Sequence, residues 1–90
     1  MSLKQLVSKY IDSAEQVLSS MSVAESSLPI EVRQINEVLD SARAYLEDAK
    51  YYREKEKFNV SLTSAAYCEG LLDALKLLGA VRFEWPKKEM

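Results

Sequence analysis

The sequence contains no histidine. That absence excludes Ser-His-Asp and Cys-His nucleophile activation. It also excludes imidazole-bearing zinc sites and the Glu-x-x-His di-iron pattern of four-helix bundles. The single cysteine, Cys68, cannot form an internal disulfide or assemble a thiolate zinc site by itself. Two glycines and two prolines leave few breakers in 90 residues, so long helices are expected. No stretch approaches the ~18 apolar residues of a membrane span. No basic segment leads into an apolar run at the N-terminus, so a secretion signal is not expected. The expectation is a cytoplasmic protein with no membrane partner, no cofactor and no resident metal, and not an enzyme.

What is present points to one all-α domain. Apolar residues make up 48% of the chain, enough for a core. A chain this short buries only roughly 60% of its unfolded surface. Net charge is −2, too small to drive the whole molecule onto nucleic acid. The first 49 residues hold four basic and eight acidic side chains, and the remainder hold eight basic and six acidic. That asymmetry is too mild to name a partner.

The spacing predicts a first helix over 3–23. Ser2 and Gln5 form a capping-box pattern at its start. Leu3, Val7, Tyr10, Ala14, Val17, Met21 and Ala24 recur at 4-3 spacing, with Leu6, Ile11 and Leu18 widening the stripe. Residues 22–29 read as a connection, and Ser22-x-x-Glu25 fits an extra capped turn equally well. A second helix is predicted over 29–55, with Pro29 in its first turn and Ile35, Leu39, Ala42, Leu46 and Ala49 as its seam. Nothing between Lys55 and Asn59 breaks a helix by residue type. Phase does: continuing the seam would place Arg53 and Glu56 in apolar slots, and the stripe restarts at Phe58, Leu62, Ala65, Leu72 and Leu75. A third helix is therefore predicted over 58–78, with Gly79 as its left-handed terminator. Ala66, Gly70 and Ala74 lie one turn apart, which suggests a close helix crossing at Gly70. After Gly79, Val81, Phe83 and Trp85 alternate with Arg82 and Glu84, a period of two. The tail 80–85 should lie extended on the bundle, with a disordered terminus at 86–90. The expected architecture over 1–85 is an up-and-down three-helix bundle with a left-handed twist and an extended C-terminal tail.

The run Tyr45-Leu-Glu-Asp-Ala-Lys-Tyr-Tyr52, followed by Ala66-Tyr-Cys-Glu-Gly-Leu-Leu-Asp-Ala-Leu-Lys-Leu-Leu-Gly79, resembles the archaeal family called domain of unknown function 357. The resemblance covers roughly residues 30–85 and reaches the first helix only by general pattern. It implies a three-helix bundle and no assigned activity. It also implies, through relatives beside a nucleotidyltransferase-like domain, an accessory role binding nucleotide or RNA. One departure bears on the turn. Relatives usually carry Gly-Asp where this chain has Glu56-Lys57, which leaves the turn position open.

Four groups of residues invite functional readings. Asp48, Glu69 and Asp73, with Glu47, could gather around Mg²⁺ or Mn²⁺; the simpler reading makes them structural, paired with a base or accepting from a tyrosine. Lys50, Arg53, Lys55 and Lys57 interleave with Tyr51 and Tyr52, a pattern that grips single-stranded nucleic acid. Glu54 and Glu56 halve that charge, so a solvated helix end explains it more simply. Val81, Phe83 and Trp85, with Tyr51 and Tyr52, could anchor a protein partner or a second copy, or the tail could cap its own core. Cys68 reads as a small core residue, since nothing obvious lowers its pKa. The leading functional expectation is a non-enzymatic interaction or self-associating module.

Overall fold

A computed structural model describes residues 1–23 and 29–86. In order they form α1 (Leu3–Ser20), a two-residue strand β1 (Ser22–Val23), α2 (Val32–Glu54), α3 (Phe58–Leu77) and a second short strand β2 (Val81–Arg82). The fold is the all-α three-helix bundle that the spacing implies. Its longest extent is 42 Å, so the single rod of roughly 75 Å that an unbroken 29–79 helix would make does not exist.

Each helix boundary has a local cause. α1 starts with a complete capping box: Gln5 N–H donates to Ser2 Oγ at 3.1 Å, and Ser2 N–H donates to Gln5 Oε1 at 2.8 Å. It stops at Ser20 rather than 23. The hydroxyls of Ser19 and Ser20 both donate to Gln16 O, at 2.9 Å each, which competes with helical bonding. The chain then turns extended so that β1 can pair antiparallel with β2, Ser22 against Arg82 and Val23 against Val81. Ser22 therefore belongs to a ladder, not to an extra helical turn, and Glu25 lies outside the described residues. α2 begins at Val32, three residues later than expected, with Glu31 at the cap and its N–H donating to Gln34 Oε1 at 3.0 Å.

α2 and α3 are joined by a Schellman turn. Lys57 N–H donates to Tyr52 O at 2.9 Å and Glu56 N–H to Arg53 O at 3.0 Å. Glu56 takes the left-handed position with φ 58°. The same motif closes α3: Ala80 N–H donates to Leu75 O at 2.9 Å, Gly79 N–H donates to Lys76 O at 3.0 Å, and Gly79 sits at φ 75°. Gly79 is thus the expected terminator, and buried Ala80 packs its methyl at the same end as buried Leu75.

The core follows 4-3 spacing in two helices and shifts from expectation in parts of two. α2 buries Ile35, Leu39, Ala42, Leu46 and Ala49 as expected. α3 buries Ser61, Ala65, Cys68, Leu72 and Leu75, so the seam enters at Ser61 while Phe58 and Leu62 are only half-buried. Ser61 is tolerated inside because its hydroxyl donates to Ala49 O on α2 at 2.6 Å. α1 buries Val7, Ile11, Ala14 and Val17. Ile11 takes the inward place expected for Tyr10, which is half-buried like Met21, and Leu3 is exposed at the open end of the bundle. The pairs Ser61–Ala49 and Tyr45–Tyr67 fix α2 and α3 as an antiparallel hairpin. Leu3 shares a cleft with Phe58 and Val60, and Leu18 shares one with Arg43 and Leu46, so α1 runs antiparallel to α2. α1 leans mainly on α3.

Gly70 departs from expectation in an informative way. A Cβ built there would meet nothing within 4 Å, and the residue is exposed. Among the described residues, no helix crosses closely at that point.

Candidate interaction surface

The tail is spent within the chain. Val81 and Phe83 are buried, and Trp85 is half-buried against the core. Phe83 and Trp85 meet edge to face at 4.9 Å between ring centroids. Trp85 Nε1–H donates to Asp73 Oδ1 at 2.5 Å. Lys76 reaches over the Phe83 ring at 5.1 Å and lies 3.7 Å from Glu84. Docked in this way, Val81 and Phe83 have little apolar surface left to anchor a partner. The carboxylate of Asp73 accepts from an indole rather than from the base or tyrosine expected.

The basic stretch is largely occupied too. Lys50 pairs with Glu15 of α1 and, at 3.0 Å, with Glu47. Lys55 lies over the Tyr51 ring at 5.5 Å. Arg53 is half-buried in a cleft of about 610 Å³ beside Asp12 and Glu15. Lys57 is exposed at the α3 cap. Acidic neighbours thus stand beside two of the four cations, which weakens the case for a nucleic-acid groove. The four carboxylates do not converge either. Among the described residues, no three acidic or cysteine side chains gather to hold a metal ion. Glu47 and Asp48 are exposed on α2, while Glu69 lines an open groove of about 390 Å³ with Leu6, Tyr10 and Gly70. Cys68 is fully buried, and burial, reinforced by the negative charge of Glu69, pushes its thiol up from 9.0 to about 11. That direction opposes nucleophilic chemistry.

A different surface stands out on α3. Its charged residues are Glu69, Asp73 and Lys76, and all three serve the α1 and tail side. The other side carries no charge over the full length of the helix. Val60, Ser64, Tyr67, Leu71, Ala74 and Leu78 recur there at 4-3 spacing, one position ahead of the buried seam. Val60, Tyr67 and Leu78 are 44%, 53% and 51% exposed. On α2 the adjoining line is Val38, Tyr45 and Tyr52, all half-buried. Tyr45 and Tyr67 join the two lines, their rings 4.3 Å apart and tilted by 36°. Tyr51 stands beside Tyr52, edge to face at 5.2 Å. Two of the candidate anchor residues, Tyr51 and Tyr52, therefore border this face, whereas the three tail residues do not form it. The sequence signal for the face was the second 4-3 register together with the uncharged run from Phe58 to Cys68.

No helix among the described residues is long and apolar enough to cross a membrane. Residues 9–81 match the model of the family described as Protein of unknown function (DUF357). The match spans most of the chain, which belongs to that family. No curated protein and no solved structure matches it.

Proposed function

From its place in a family without an assigned activity, and from the outer face of its helical hairpin, we propose that this chain is a non-enzymatic interaction module of the reducing cytoplasm. Its working surface is the outer α2–α3 face. One observation carries this reading: α3 keeps its charges on the side where the chain itself uses them and exposes Val60, Tyr67 and Leu78 on a side with none. Interface centres are depleted of charge and enriched in tyrosine, whereas an ordinary solvated helix face carries charges. The raised thiol of Cys68 supports the non-enzymatic part.

Affinity capture from the source cell extract tests this reading, with wild type and Tyr67→Glu as paired baits. The wild type should retain a protein, the chain itself included, that Tyr67→Glu loses. Identical retention by both baits overturns the assignment of the face.

A further inference from the structure

We infer that the occupant of the outer α2–α3 face is a second copy of this chain, docked about a two-fold axis that sets each α2 antiparallel to its partner. The inference rests on the reading above and names the partner.

Two observations favour a second copy. The first is size. The face is as long as α3, about 30 Å, and two helices wide, about 20 Å. That gives roughly 600 Å² in plan, and side-chain relief brings it near the ~800 Å² each partner contributes to a standard stable interface. The face has the same 4-3 register as the internal seam. Two such hairpins facing each other would make the four-helix packing that this spacing favours.

The second is charge. Along the rim of the face on α2, exposed Asp48 lies near the middle, and Glu37 and Lys55 stand at the two ends. The end residues are about five turns apart and hence on one side of the helix. Both are exposed. A two-fold running along the helices would instead lay each α2 over the partner's α3 and leave both rim charges without a counterpart. The antiparallel two-fold sets each Glu37 against the partner's Lys55. Glu37 now holds Arg33 at 2.6 Å and Lys55 covers Tyr51. Contacts this exposed rearrange at little cost. The rim charges then fix orientation, and the apolar stripe supplies the affinity. The uncharged stripe on α3 offers nothing to a phosphate backbone.

Sedimentation velocity over a concentration series tests this directly. Wild type should move from the 10.2 kDa chain to a species of twice that mass. Tyr67→Glu and, independently, Val60→Glu should remain monomeric with an unchanged helical circular-dichroism spectrum. Both sites are exposed, and an acid in the first turn of α3 suits the helix dipole. Glu37→Lys alone, or Lys55→Glu alone, should weaken the dimer by roughly three- to tenfold at low salt, and the two together should restore it. A wild type that stays monomeric overturns the second copy while leaving the capture experiment to judge the face. A dimer indifferent to Tyr67→Glu and Val60→Glu overturns the face. A double exchange no tighter than the single ones overturns the antiparallel arrangement.

Discussion

Glu56 holds a backbone conformation that its own side chain opposes. At φ 58° it occupies the Schellman position that glycine fills at the end of α3, and a β-carbon there costs ~1 kcal/mol or more. Glu56→Gly should therefore raise stability by about 1 kcal/mol, seen as a higher denaturant midpoint at unchanged slope; a lower midpoint would contradict the turn geometry. Cys68 makes a pH-dependent contribution of the opposite kind. Its thiol stays protonated in the native state up to about pH 11, whereas in the unfolded chain it ionises near 9.0. Below the unfolded value both states hold the proton and the contribution is complete. As pH rises from there through about 11, the unfolded chain releases its proton first, so stability falls. The loss should be on the order of 2 kcal/mol. Cys68→Ala should remove that component, so its stability should fall less steeply across the same window. Parallel curves would mean the thiol is not held up by burial.

The tail and α3 form one unit, joined by the bond from Trp85 to Asp73. Asp73→Ala should cost about 1–2 kcal/mol and shift Trp85 emission to the red, and Asp73→Asn, which keeps an acceptor, should largely restore both. Unchanged emission in Asp73→Ala would mean the indole is held by packing alone. At this scale the sequence was readable where polar residues mark the outside of an element. α2 shows its seam because charged residues fill its other faces. α3 does not, since apolar side chains surround it on several sides and periodicity alone could not choose between Ser61 and Leu62 as the inward residue. Ser61 was passed over because its place inside depends on a carbonyl twelve residues away. β1 was illegible for a related reason: Ser22 and Val23 are extended only because Arg82 and Val81 pair with them. The extended tail itself was readable from its alternation. Its destination was left between the chain's own core and a partner, and the core holds it.

For the whole molecule, the arrangement divides labour between two sides of α3. One side carries the charges and organises α1 and the tail, and the other is left uncharged and open. Gly70, expected to mark a close crossing within the chain, instead lines the open groove beside Leu6 and Tyr10 with room for a Cβ. The candidate surface was present in the sequence as a second heptad register. It was masked because a helix with charges on one side only reads as core on all the others. Hydroxyl-radical footprinting across a concentration series tests the central claim most directly, since it labels side chains one by one. The account predicts that labelling of Tyr67 and Leu78 falls as concentration rises while that of Met1 stays constant and Trp85 is equally shielded throughout. Labelling of Tyr67 that never changes, with Trp85 becoming shielded only at high concentration, would contradict it.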